Sequence, residues 1–175
     1  SPLSTAGALY HLVAHAFMKI TLFMCAGAIF VTTHKKDISE MVGLGRRMPV
    51  TMSAFTIASL GIAGFPFFVG FVSKANIIMG ALKTGQLLFG ATLIVSAVLA
   101  LTYLMPVVLI TFKREPVNPE FNTYGEASKT MLVPLLITAT VSVILGVAPN
   151  FGLHLLDLAM STGEAVFAHV GGVIC

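Results

Sequence analysis

The stretch His11-Leu-Val-Ala-His15-Ala-Phe-Met-Lys19 lies inside an apolar run, residues 4–31, and its reading decides the fold. The run is long enough to cross a bilayer, because about 20 apolar residues at ~1.5 Å rise each span the hydrocarbon layer. It nevertheless carries three ionisable side chains. Positions four apart stack on one helix face, so His11, His15 and Lys19 form a single polar stripe roughly 12 Å long. A lysine near the bilayer centre costs on the order of 2.5 to 3.5 kcal/mol on insertion scales, so such groups face a protein interior or a wet cavity and mark ion routes. Lys19 sits near the middle of its span, too deep to snorkel easily to an interface. For His11 and His15 the competing reading is packing glue, hydrogen-bonded to neighbouring helices.

Composition agrees with a membrane chain. Of 175 residues, 57% are hydrophobic and only 10% charged, with a mean hydropathy of +0.96. An ordinary soluble domain carries about 25% charged residues, so this chain lacks the polar surface for a water-facing exterior. The first run is too long for the core of a cleavable secretory signal, and further apolar runs follow it. A net charge of +3 in a soluble protein would suggest nucleic acid, but here the bases flank apolar spans and topology explains them. No nucleic-acid partner is expected. Cys25 and Cys175 lie far apart and neither has a second Cys nearby, which gives no disulfide framework and no iron–sulfur ligand set. The chain begins in mid-pattern at Ser1, without an initiator Met, and reads as a fragment of something longer.

Outward from the first span, residues 32–49 form a polar loop with His34, Lys35, Lys36, Asp37, Glu40, Arg46 and Arg47, punctuated by Gly43, Gly45 and Pro49. The second apolar segment, 50–82, is longer than one crossing needs, and its middle reads Gly61-Ile-Ala-Gly-Phe-Pro-Phe-Phe-Val-Gly70. Glycines around a proline make a poor continuous helix, so a broken transmembrane helix is expected. Freed backbone groups at membrane depth are tolerated only where protein or water meets them, which puts the break inside the bundle. Just beyond it stands a second intramembrane lysine, Lys74. A third span covers 86–112 with a kink expected at Pro106, and a solvated loop follows over 113–129. A fourth span covers 131–147. The tail mixes Leu and Val with His154, Asp157, Glu164 and His169 and reads as an amphipathic interfacial helix or a frayed end. The expected fold class is therefore all-α, a polytopic transmembrane bundle of about four spans, one of them broken, over residues 1–149, with an amphipathic segment at 150–175. Basic residues are dense in the first loop, sparse in the second (Lys83) and dense in the third (Lys113, Arg114, Lys129), which places the first and third loops in the cytoplasm.

The residue types suggest a chemistry. Burial disfavours the charged form of an amine and a nearby opposite charge restores it, so an intramembrane lysine can switch between loaded and empty states. Histidines titrate near neutrality and can relay a proton to it through water. A stripe of His11, His15 and Lys19 facing Lys74 on the broken helix is then a proton wire, and four helices cannot enclose it without others. A metal held by His11 and His15 is disfavoured, because the span has no carboxylate and Lys19 would repel the ion. The chain has no Gly-rich phosphate loop, nucleophile elbow or paired carboxylates, and no cofactor is expected.

The ordered motifs His-Leu-x-x-His-Ala-Phe-x-Lys-x-x-Leu-Phe-x-x-Ala-Gly from His11 to Gly27, then Met41-Val-Gly-Leu-Gly45, then Gly70-Phe-Val-Ser-Lys74 carry a family resemblance. Over residues 1–149 the chain resembles the antiporter-like subunits of respiratory complex I, of multisubunit Mrp cation/proton antiporters and of membrane-bound hydrogenases. The resemblance implies a member of about fourteen helices, of which this chain holds the last four or so, in a multi-pass protein of a prokaryotic inner membrane. It assigns Lys19 the central proton relay and Lys74 the outlet, with His11 and His15 in support. It implies other membrane subunits as partners, protons and possibly Na+ as the ions moved, and no redox centre in this subunit, whether the complex is an NADH dehydrogenase or an antiporter. Some complex I members carry Glu where Lys74 stands, so the Ser73-Lys74 pair is more similar to the distal complex I subunit or the Mrp large subunits. Phe65-Pro66-Phe67 and Pro106 also fit Mrp D-type subunits and their hydrogenase relatives. The alternative is a secondary transporter that carries a small anionic solute through the broken helix, with Lys74 pairing the anion.

Overall fold

The computed structural model of the chain describes residues 1–113, 115, 116 and 118–171; Arg114 and Cys175 lie outside the described residues. Its elements are helices α1 (Pro2–Thr33), α2 (Leu44–Arg47), α3 (Pro49–Ala63), α4 (Val69–Lys83), α5 (Leu87–Lys113), α6 (Lys129–Val147) and α7 (Leu155–Gly171), with short 3-10 turns at Ile38–Met41 and Pro119–Asn122. No strand occurs among the described residues. Three helices are long and apolar enough to cross a membrane, Pro2–Thr33, Leu87–Phe112 and Lys129–Val147, and α3 is a shorter apolar helix. The bundle is thus all-helical and polytopic.

Local chemistry sets the ends. Ser1 caps α1 by accepting from the Ser4 amide at 3.3 Å, and Pro2 occupies the first turn, where a missing N–H costs nothing. Pro49 opens α3 in the same way. The expected break falls between Ala63 and Val69, so α3 and α4 are the two halves of one interrupted passage. Both halves run antiparallel to α1: the Cys25 thiol donates to the Thr51 carbonyl at 3.5 Å near one end, and His11 meets Ser73 near the other. The break therefore lies level with residues 14–18, the middle of α1. Pro106 lies inside α5 and Pro134 inside α6.

The core has two centres. One packs Cys25, Ala28, Met52, Leu135 and Phe121 beneath the loops; the other packs Ala6, Tyr10, Ala14, Met18, Val69 and Leu145 beyond the break. The buried Tyr10 hydroxyl donates to the Leu145 carbonyl at 2.7 Å, and Thr21 donates to Thr138 at 2.9 Å, pinning α1 to α6. The two basic loops meet at one end of the bundle. There the Gly43 amide donates to the Ile110 carbonyl, Asn118 to the Glu40 carbonyl, and Arg47 to the Glu120 carbonyl at 2.9 Å. Helix α7 lays Leu155, Leu156, Ala159 and Met160 against the second core centre, while Asp157 and Glu164 are exposed.

Candidate functional site

The site is built around the end of α3. A helix end leaves carbonyls without intrahelical partners, and at membrane depth water cannot be assumed to take them. Gly64 takes up φ +83°, a left-handed conformation that glycine adopts at little cost, and turns the chain back on itself. Its amide then donates to the Gly61 carbonyl at 3.0 Å and the Phe65 amide to the Leu60 carbonyl at 3.0 Å, the paired closing bonds of a Schellman end. Two carbonyls remain, those of Ile62 and Ala63. The Lys74 ammonium donates to both, at 2.7 and 3.2 Å. A residue on α4 thus completes the end of α3, where the negative pole of the helix favours a cation.

Two further features hold the break in this shape. Gly70 opens α4 so close to α3 that a Cβ there would run into the Gly61 carbonyl oxygen. Phe67 has φ +75°, a strained conformation for an aromatic residue, and such strain persists only where surrounding structure imposes it. A cavity of about 450 Å³ lies between the break and α5, bounded by Gly64, Pro66, Phe71, Lys74, Ile94 and Val98 among others. Among the described residues, Lys74 is the one ionisable residue in its lining.

The sequence-predicted stripe is present on α1 but is unevenly tied down. His11 is half-buried, and its Nδ1 lies 2.7 Å from the Ser73 hydroxyl on α4. Its ring stands 5.6 Å, centroid to centroid, from that of His15, tilted by 42°. His15 is exposed on the surface of this chain. Lys19 is half-buried and has no hydrogen-bond or ion-pair partner among the described residues. The structure therefore joins His11 and His15 to each other and His11 to α4, and joins Lys74 to α3. Among the described residues, no hydrogen bond or ion pair ties Lys19 to α3 or α4.

Sequence reasoning gave Ser73 no role, although it is fully buried between the two histidine-bearing and lysine-bearing helices. Its spacing of three from Gly70, whose carbonyl its hydroxyl approaches at 3.0 Å, was the available signal. Ser59 and Ser142 are also buried, and their hydroxyls have no partner among the described residues. Of the other singled-out residues, Lys35 pairs with Glu40 at 3.3 Å and Lys36 sits 5.3 Å from the Phe30 ring centre. His34 ends α1 with φ +54°, and His154 lies 3.3 Å from Asp157 in an exposed pair.

Subunit N of NADH-quinone oxidoreductase from Desulforudis audaxviator is 34% identical over 155 residues, covering 82% of this chain and 31% of that protein. Subunit L from Rickettsia conorii is 33% identical over 157 residues, covering 89% and 23%. The chain thus spans less than a third of the length of these relatives. Among solved structures, the Mrp complex from Dietzia sp. matches all of this chain and 40% of its counterpart with a TM-score of 0.84 at 21% identity. Respiratory complex I from Thermus thermophilus matches 94% and 34% with a TM-score of 0.78 at 23% identity, and both share the fold. A family model described as NADH:quinone oxidoreductase/Mrp antiporter, TM, matches residues 2–100, more than half of the sequence, and the chain belongs to that family of membrane proteins.

Proposed function

We propose that this chain forms part of a proton-translocating membrane subunit of a multisubunit complex, either NADH:quinone oxidoreductase-like or Mrp-type, in which His11, His15, Lys19 and Lys74 relay protons at mid-membrane. Residues 1–149 form the translocating part and 150–175 an amphipathic tail. Its partners are other membrane subunits of a prokaryotic inner-membrane complex, and the ions moved are protons, with Na+ in an exchanging complex.

The observation that carries this reading is how Lys74 is held. An ammonium has three hydrogens, and two of them point at the Ile62 and Ala63 carbonyls. A neutral amine has two hydrogens and a lone pair. Lys74 can therefore keep both backbone bonds in either charge state, so the third position alone gains or loses a proton. Exchange then requires no rearrangement of the break. The largely apolar cavity beside Lys74 offers an outlet, and the imidazoles of His11 and His15 are the stations between the α1 side and α4. Ionisable groups in a bilayer turn away from lipid, so other helices cover His15 and Lys19 in the assembled protein.

The test uses the full-length protein with its partner subunits in membrane vesicles. Lys74→Arg keeps the charge, but a guanidinium does not release its proton. Proton uptake is expected to vanish while assembly persists; undiminished uptake would sink the relay.

A further inference from the structure

Ser73 is 0% exposed, and its single hydroxyl hydrogen has possible takers on its own helix and on α1. On its own helix the Gly70 carbonyl lies at 3.0 Å and the Val69 carbonyl at 3.5 Å; on α1 His11 Nδ1 lies at 2.7 Å. If the hydrogen pointed at Nδ1, the hydroxyl lone pairs would face the Gly70 oxygen with no hydrogen between two acceptors. If it points at Gly70, the hydroxyl oxygen is free to accept from an Nδ1–H, and every atom in the chain Nδ1–H to Oγ–H to carbonyl is paired. Two oxygens 3.0 Å apart attract only with a hydrogen between them, so the Ser73 hydrogen settles on the Gly70 carbonyl and the Nδ1 hydrogen on Oγ.

We propose that Ser73 is a positioning residue that holds neutral His11 with its hydrogen on Nδ1, so that Nε2 is the atom at which this ring takes up and surrenders a proton. The imidazolium also carries a hydrogen on Nδ1, so the bond to Ser73 survives loading unchanged. Protons enter and leave by the Nε2 edge of the ring alone, and Ser73 itself carries none. A ring left to choose would divide between two tautomers, and one of them presents no acceptor at Nε2.

This inference rests on the relay reading for its functional meaning, but its geometry can be tested apart from it. The measurement is the 15N spectrum of the full-length, histidine-labelled protein assembled with its partner subunits, with the His11 signals assigned by their disappearance in His11→Gln. The expected wild-type result is a protonated Nδ1 and a bare Nε2. Ser73→Ala is expected to lose that pattern and to slow proton uptake several-fold, and Ser73→Thr, which restores a hydroxyl, to recover both. A bare Nδ1 in the wild type, or an unchanged tautomer in Ser73→Ala, would overturn the assignment. Failure of the relay itself would show differently, as undiminished proton uptake in His11→Gln.

Discussion

Lys74 and Lys19 are the same residue type at similar depth, yet the fold treats them in opposite ways. Lys74 is tied to two backbone carbonyls and finishes a helix end that would otherwise be bare. Lys19 is a lone ammonium on the flank of an unbroken helix, with no partner among the described residues. The difference teaches that an intramembrane charge can be part of the scaffold. Where the backbone is broken, a cation repairs it; where the helix is continuous, every carbonyl is already taken and the cation has only its chemistry to offer.

The strongest way to break this contrast is to remove the seat of the anchored half. Gly70→Ala places a Cβ against the Gly61 carbonyl, where backbone rather than a flexible side chain has to give way. A loss above about 3 kcal/mol is expected, read as a collapse in the yield of folded protein from membranes, since overpacking against rigid atoms lies at the costly end of its range. Normal yield would mean that α4 can shift away from α3 without harm, and that the break is loosely packed.

A comparison of Lys74→Leu with Lys19→Leu comes next in size. Both remove an ammonium from the membrane, so the relief from desolvation is shared and largely cancels between them. What differs is the pair of carbonyls that Lys74→Leu leaves bare. At about 1 to 3 kcal/mol for each unsatisfied group, Lys74→Leu should be less stable than Lys19→Leu by about 2 to 6 kcal/mol in chemical unfolding from detergent micelles. Equal stabilities would show that the carbonyls find other donors, and Lys74 would lose its structural role.

The sequence pattern reached some of this and missed the rest for a physical reason. Glycine and proline speak locally, so Gly61, Gly64, Pro66 and Gly70 announced an interrupted helix within a few residues of where it falls. The His-Lys stripe was equally visible, because a period of four on an apolar helix depends on nothing beyond that helix. Which carbonyls Lys74 reaches depends on the hand of the Gly64 turn and the closeness of Gly70 to Gly61, and neither is a property of any one residue type. The long-range partners of Ser73 and Glu126 were illegible for the same reason. Their partners, His11 and the start of α3, lie 62 and about 75 positions away, and a serine or glutamate in isolation gives no hint of them.

Glu126 offers a smaller test, at the far end of α3 from the break. Its carboxylate accepts from the Val50 amide at 2.6 Å, from the Thr51 amide at 3.3 Å and from the Thr51 hydroxyl at 2.7 Å. It therefore caps the positive pole of the helix whose negative pole Lys74 completes. Glu126→Ala should cost about 1 kcal/mol of stability, seen as a modest drop in the unfolding midpoint, with proton uptake close to normal. Loss of uptake without loss of stability would move Glu126 from the scaffold into the route.

The smallest effect on stability is expected from Lys19→Leu, and for that reason it is the sharpest. Removing Lys19 breaks no hydrogen bond among the described residues and places an apolar side chain where α1 is otherwise apolar, so stability should hold or rise slightly. Proton uptake should fall to the background of the vesicles, because no other α1 side chain on that stretch toward the loop end can hold the charge. The two readouts must separate for the contrast with Lys74 to stand. A Lys19→Leu protein that unfolds as readily as Lys74→Leu would reveal a partner for Lys19 in the assembled complex, worth as much as the two carbonyls at the break. The pair would then be two anchored cations rather than one anchored and one free.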